Sequence, residues 1–271
     1  MNRDPLPHDA YPPNEIARRI EQLGVTKARM ETTSLLVLAV LAGAFISLGA
    51  LFYTVVLTKS GLGYGVLRLV GGMSFSLGLV LVVVAGAELF TGNNLIAMAW
   101  ASGLIGVKDV LRNWLIVYLG NVVGCVGTLV LVQWAGIADL AGGGVGETAV
   151  QIAQAKVGLS MGAAFARGVL CNALVCLAVW LAMGGRSVAD KILAVVFPVT
   201  AFVAMGFEHS VANWFFLTFG LAVGGDEAVP IAAAAQNLAV TTAGNIIGGT
   251  LLVAGVYWLA YRPSQSRHKA E

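Results

Sequence analysis

The sequence predicts an all-α integral membrane protein whose six crossings form two inverted three-helix repeats, and three observations carry that prediction. Of 271 residues, 58% are hydrophobic and only 11% charged, against roughly 25% charged in an ordinary soluble domain. Apolar runs of about 20 residues, the length a helix needs to cross a bilayer, recur along the chain. A short pattern of glycine, glutamate and asparagine occurs once in each half, at matching places. So few charges cannot cover a water-soluble globule of this length, which excludes a soluble enzyme. A chain this apolar buries enough surface to offset its ordering entropy, which excludes disorder. A net charge of +2 gives nucleic acid no patch to bind, so the expected surroundings are membrane lipid.

The first thirty residues carry Arg3, Asp4, Asp9, Glu15, Arg18, Arg19, Glu21, Lys27 and Arg29. They lack the uninterrupted apolar core of a signal peptide, so no cleavage is expected. From Asn14 to Met30, Ile16, Ile20 and Leu23 fall at helical spacing among charges, which predicts an amphipathic helix on the cytoplasmic face. Residues 1–33 thus form a cytoplasmic segment, 34–261 the membrane domain and 262–271 a cytoplasmic tail. The crossings lie near 34–57, 66–101, 111–134, 159–183, 191–222 and 238–261, and the stretch before the fourth is read as a glycine- and alanine-rich outer loop. The second and fifth runs are too long for one straight helix. Each holds polar residues deep inside, Glu88, Asn93 and Asn94 in one and Glu208, His209 and Asn213 in the other, so both are expected to be broken.

With six crossings, the tails and the loops after the second and fourth segments share one side. That side holds twelve of the sixteen lysines and arginines, while Lys59, Arg68 and Lys156 lie opposite and Arg167 falls within the fourth segment. By the positive-inside tendency both termini are cytoplasmic.

Self-comparison defines the repeat. Gly86-Ala87-Glu88 followed by Asn93 matches Gly206-Phe207-Glu208 followed by Asn213, 120 residues on; Ala44-Phe45 and Ala164-Phe165 share that offset. Gly120-Asn121-Val122-Val123-Gly124 matches Gly244-Asn245-Ile246-Ile247-Gly248, now 124 on. The repeats therefore cover about 34–134 and 159–261. Three crossings is an odd number, so the second repeat enters the membrane from the opposite side, as in transporters whose sites lie where broken helices meet near the midplane. Non-helical backbone at that depth is tolerated only beside protein or a water-filled cavity, so the pathway is expected at the two breaks.

Symmetry also sorts the polar residues. Glu88 and Glu208 are costly in hydrocarbon and read either as proton carriers or as braces accepting backbone N–H groups that each break leaves unpaired; their symmetric placement favours bracing. Asn93, Asn213, Asn121 and Asn245 come in the same symmetric pairs and are expected to pin loops. His209 has Leu89 as its counterpart, and an ordinary pKa of about 6.5 lets imidazole change charge near neutrality. It reads as a functional group at the break or as a neutral ring satisfied by backbone. Thr91 either faces His209 and sets its tautomer or caps a half-helix. Lys156 is an interfacial anchor or, at a pore mouth, a collector of anions. Asn172 is able to bond a ligand or a neighbouring helix, and Arg167 to snorkel outward or pair at a subunit interface. Cys125, Cys171 and Cys176 sit in apolar runs as packing residues. The other histidines, His8 and His268, lie in the tails, so no metal site is expected. No phosphate loop, cofactor motif, His-Glu-x-x-His pattern or nucleophile elbow occurs, which leaves an enzyme without support.

Three stretches resemble the bacterial formate/nitrite transporter family: Gly86-Ala87-Glu88-Leu89-Phe90-Thr91-Gly92-Asn93, Asn113-Trp114-Leu115-Ile116-Val117-Tyr118-Leu119-Gly120-Asn121, and Gly206-Phe207-Glu208-His209-Ser210-Val211-Ala212-Asn213. The resemblance runs from about Ala44 to Tyr261. It implies an aquaporin-like six-helix protomer in the bacterial inner membrane, a homopentamer with one pore per protomer, and passage of small monovalent anions. His209 and Thr91 would form the central polar site, with Asn172 alongside and Lys156 at the outer vestibule. Phe75, Leu79, Leu89, Phe90, Val175 and Phe202 would form two apolar constrictions. The expected substrate is formate, with proton participation at His209; nitrite or hydrosulfide would keep the same fold. A neutral-solute channel of aquaporin type would carry Asn-Pro-Ala at both breaks, where this chain has Thr91-Gly92-Asn93 and Ser210-Val211-Ala212.

Overall fold

The computed structural model describes residues 10–261; the tail 262–271, residues 1–9 and the charges and histidines counted there lie outside them. The described chain is all helical. Helix α1 (Pro13–Ala28) starts at a proline, whose fixed φ and missing N–H suit a first helical turn, and buries Ile16, Ala17, Ile20, Gly24 and Ala28. That apolar stripe packs on protein, against Leu95, Met98, Trp180 and Val253. Helix α2 (Thr32–Leu57) is capped by the Glu31 carboxylate, which accepts from the backbone N–H groups of Thr33 and Ser34. Bonds from Thr33 and Ser34 hold that carboxyl below the usual carboxylate range.

Helix α3 (Tyr64–Leu81) runs through a π turn (Val82–Gly86) into a non-helical stretch and a 3-10 turn (Gly92–Ile96), then α4 (Ala97–Ala101). Helices α5 (Val107–Trp134), α6 (Gly144–Val157) and α7 (Met161–Gly184) follow. Helix α8 (Val188–Ala204) stops short of α9 (Ser210–Val223), and α10 (Ile231–Ile247) passes through a π segment (Gly248–Gly255) into α11 (Val256–Tyr261). Among the described residues, five helical runs are long and apolar enough to cross a membrane: Thr32–Leu57, Tyr64–Gly86, Val107–Trp134, Met161–Gly184 and Ile231–Tyr261. Ser210–Val223 is apolar but shorter.

Three expectations need correction. The stretch before α7 is no plain loop, because α6 occupies most of it and buries Val145, Ala149, Val150 and Ala153. The last apolar helix starts at Ile231, seven residues before the expected 238, since Gln236 and Asn237 dilute its first turns without breaking them. The 120-residue match of Ala44-Phe45 with Ala164-Phe165 also fails. A Cβ on Gly124 would sit 2.1 Å from Val40 O, and one on Gly248 2.1 Å from Val169 O. These glycines let α5 ride on α2, and α10 on α7, backbone to backbone. The contacts pair position 40 with 169, so α2 and α7 correspond 129 residues apart, and the Ala44-Phe45 and Ala164-Phe165 match is coincidence.

Candidate permeation site

Helical bonding lapses over 87–91 and again over 205–209. Each lapse turns on a glycine with positive φ, Gly86 (+84°) just before the first and Gly206 (+72°) inside the second, a conformation only glycine adopts without cost. Each leaves backbone groups to be satisfied, and one asparagine serves them in each half. Asn121 Nδ2 donates to Ala39 O (2.7 Å) and Glu88 O (2.9 Å), while its Oδ1 accepts from Phe90 N (2.9 Å). Asn245 donates to Gly168 O (2.8 Å) and Glu208 O (2.9 Å) and accepts from Ser210 N (2.8 Å).

The carboxylates are held differently from expectation, by an ammonium and an amide and not by backbone N–H groups. Lys27 Nζ donates to Glu88 Oε1 (2.8 Å) and Asn93 Nδ2 to Oε2 (2.7 Å). Lys156 Nζ donates to Glu208 Oε1 (3.1 Å) and Asn213 Nδ2 to Oε2 (2.6 Å). Asn93 Nδ2 also donates to Asn113 Oδ1 and Asn213 Nδ2 to Asn237 Oδ1, both at 2.9 Å. Asn113 and Asn237 donate in turn to the carbonyls of Lys27 and Lys156. Lys156 is therefore no lone charge: it is the counterpart of Lys27, and α1 is the counterpart of α6. Sequence reasoning missed Lys27, which it left on a surface helix. It also missed Asn113 and Asn237, although they lie at the same offset as Asn121 and Asn245 and a longer alignment would have found them.

Against this matched frame, three buried polar residues break the correspondence and meet. His209 stands opposite Leu89, Thr91 opposite Val211, and Asn172 opposite Gly43. Thr91 Oγ1 lies 2.9 Å from His209 Nε2. His209 Nδ1 accepts from Ala212 N (3.0 Å), capping α9, so the proton of the neutral ring sits on Nε2 and is donated to Thr91. The Asn172 amide nitrogen reaches Thr91 O (3.2 Å), Asn94 Oδ1 (2.8 Å) and Asn245 O (2.7 Å), tying the first interruption and α10 to α7. Its Oδ1 has no partner among the described residues.

Two cavities approach this cluster. One, of about 590 Å³, is lined by Phe75, Phe202, His209, Glu208, Lys156 and Asn213, together with Arg68 and Arg167. The other, of about 340 Å³, is lined by Leu79, Leu89, Glu88, Asn93 and Lys27. Phe75 and Leu79 are one turn apart on α3, about 6 Å at 1.5 Å per residue, yet face different cavities, so the seal between them is thin. Phe75 and Phe202 meet edge to face at 5.8 Å, and the Phe202 and His209 rings lie parallel at 6.0 Å. Thr91, Phe90 and Val175 border neither cavity. Phe90 packs edge-on against Trp114 and Tyr118, and Val175 is fully packed in the core. The Arg167 side chain turns into the larger cavity, donating to Gly206 O (3.3 Å).

Comparison with known proteins bears on the family and the overall fold. The chain is 40% identical over 281 residues to the formate channel FocA of Escherichia coli, covering 97% of this chain and 98% of that protein. A solved structure described as a pentameric formate channel with formate bound superposes with a TM-score of 0.79 at 38% identity, over 85% of this chain and 98% of that one. A second, described as an ion channel of the same family, gives 0.84 at 30% identity over 91% and 98%. The profile of the family described as formate/nitrite transporter matches residues 14–259, and the chain belongs to that family of multi-pass membrane proteins.

Proposed function

We propose that this protein passes small monovalent anions, formate foremost, across the membrane along the line joining the two cavities, with a proton taking part at His209. One observation carries the reading: the cavities end on opposite faces of a thin apolar seal crossed by a single histidine–threonine hydrogen bond. The relatives named formate channels support the choice of substrate.

A bare anion crossing a dry constriction meets a large desolvation cost, of the kind that makes buried charges neutralise. Lys156 collects the anion in the larger cavity. Phe75 and Phe202 strip its water, and Leu79 and Leu89 keep the far side dry, with Phe90 and Val175 as backing. At rest the His209 ring is neutral, since Nδ1 is occupied by the Ala212 N–H. When formate brings a negative charge beside the ring, Nδ1 gives up the Ala212 N–H and takes a second proton from the water of the larger cavity. The imidazolium pairs with formate or hands it the proton, and formic acid crosses as a neutral molecule. Thr91 holds the ring, and the free Oδ1 of Asn172 accepts from the acid. Glu88, Glu208, Asn93 and Asn213 brace the interruptions and leave the chemistry to the asymmetric cluster. The protein catalyses no reaction.

In the bilayer the six crossings are α2, α3 with 92–101, α5, α7, α8 with α9, and α10 with α11. They form two aquaporin-like repeats inverted about an axis in the membrane plane. Five copies assemble in a bacterial inner membrane with both termini cytoplasmic and segment 1–33 on that face. Flux into proteoliposomes, compared for formate, nitrite, hydrosulfide and glycerol, tests the substrate; faster passage of another solute overturns it. His209→Phe is expected to abolish formate-driven alkalinisation while the oligomer elutes unchanged. Alkalinisation at the wild-type rate in that variant would refute the mechanism.

A further inference from the structure

The mechanism above uses Lys156, already neutralised by Glu208, and leaves three cations of the larger cavity without a role, Lys59, Arg68 and Arg167. Arg68 and Arg167 reach it from α3 and α7 and converge over Gly206. A Cβ built there would lie 3.1 Å from Arg68 Nη2 and 3.7 Å from Arg167 Nη1. The same construction on Gly86, in the other half, meets nothing within 4 Å.

The two guanidinium groups differ in what holds them. Arg68 closes off the end of α8, with Nε on Ala204 O (2.9 Å), Nη2 on Val203 O (2.7 Å) and Nη1 on the Tyr53 hydroxyl (3.1 Å). There it opposes the negative end of the helix. Arg167 makes one hydrogen bond among the described residues, the 3.3 Å contact to Gly206 O, which leaves most of its five N–H donors facing the cavity. Arg167 O accepts from Glu208 N as Leu38 O accepts from Glu88 N, so the counterpart of Arg167 is Leu38; at the 120 offset of the interruptions Arg68 faces Val188. Both positions break the repeat, as the central cluster does. As a result the larger cavity has Lys59, Arg68, Lys156 and Arg167 against Glu147 and Glu208, while the smaller has Lys27 against Glu88.

Two like charges brought together over one glycine repel unless an anion lies between them, and a guanidinium fork matches the two oxygens of a carboxylate. We propose that Arg167, steadied beside Arg68, forms a capture subsite for a small monocarboxylate in the larger cavity, upstream of Lys156 and His209. The proposal rests on the anion-pore reading for its place in the pathway, but the subsite is measurable without flux.

The test pairs two measurements on wild type, Arg167→Leu and Arg167→Lys. Line broadening of carbon-13 formate by the solubilised protein reads binding, and proteoliposome flux against formate concentration at low and high salt reads transport. Loss of the fork is expected to weaken binding and raise the half-saturating concentration by roughly threefold or more, the scale of a partly screened ion pair, with a smaller loss at saturation. The wild-type half-saturation should climb with ionic strength, the Leu variant's should hardly move, and the Lys variant should keep the salt response. A Leu variant that binds formate and responds to salt as wild type does would overturn the subsite. If wild type binds formate through Arg167 yet carries none, the subsite stands and the pore reading falls. Should Arg167→Leu fail to assemble, Arg167→Gln, which can still donate to Gly206 O without the charge, is read by the same criteria.

Discussion

The two interruptions are built from the same parts, and the cavities they close are not alike. Around 87–91 and around 205–209 the same set recurs: a glycine at positive φ, a glutamate bound by a lysine and an asparagine, a second asparagine beneath, and a third bonding three backbone groups. What differs is what stands in the middle and at the mouth. The first half supplies Leu89, Gly43 and Leu38 where the second supplies His209, Asn172 and Arg167, and in the opposite sense the first half supplies Thr91 and Arg68 where the second has Val211 and Val188. Matched residues hold the backbone open against a bilayer that would otherwise force it helical. Unmatched residues gather at the centre and at the mouth of the larger cavity.

This division can be broken by experiment. The largest effect is expected from exchanging the central pair, Leu89→His with His209→Leu: proton-coupled formate flux should vanish although composition and frame are preserved, and retained flux would show that only the presence of a histidine matters. Next come the carboxylates. Glu88→Ala and Glu208→Ala each leave a partly buried lysine without its carboxylate, at a cost of up to about 3–5 kcal/mol, and thermal unfolding of the detergent-solubilised protein should fall similarly for both; a loss confined to one would deny their equivalence. Asn121→Ala and Asn245→Ala should each cost about 1–3 kcal/mol for the backbone groups left unpaired, again as a matched pair in the same melt. The smallest effect belongs to Glu31, outside the matched frame. Its carboxyl is depressed by Thr33 and Ser34, so its contribution is present above the unfolded carboxylate value and fades as pH falls through the folded one. Glu31→Gln should lower the melting temperature slightly near neutrality and by less and less as the pH falls through the folded carboxyl's depressed value, and a shift of undiminished size in strong acid would mean the cap does not act through its charge.

Much of the frame was legible because it repeats. A glycine followed two residues later by a glutamate, deep in an apolar run, marks both interruptions, since no ordinary membrane helix keeps that pair at mid-depth. Helix α6 was not legible: its 14 residues fall below the length that signals a crossing, and its buried stripe is alanine and valine diluted by Gln151, Gln154 and Lys156. The kinship of Lys27 and Lys156 was hidden for another reason. They lie 129 apart while the interruptions lie 120 apart, and a self-comparison at fixed offset cannot follow an insertion. Arg167 was visible as an oddity, but its direction depends on where Gly206 turns, which only the packed structure gives. The seal, too, is a product of long-range packing, since nothing in the spacing of Phe75 and Leu79 says that they face different cavities.

That seal has an electrical meaning. If water and its ions fill both cavities, they are close to equipotential with the solutions they open to, and nearly all of the membrane voltage falls across the single turn of α3 between Phe75 and Leu79. A charge taken through that turn exchanges about 2.3 kcal/mol with the field per 100 mV, all in one step, whereas a neutral acid taken through it exchanges nothing. The thinness of the barrier thus makes the protonation state of the passenger, at the moment it crosses one helical turn, the point at which the cell's membrane potential either drives the flux or is ignored by it.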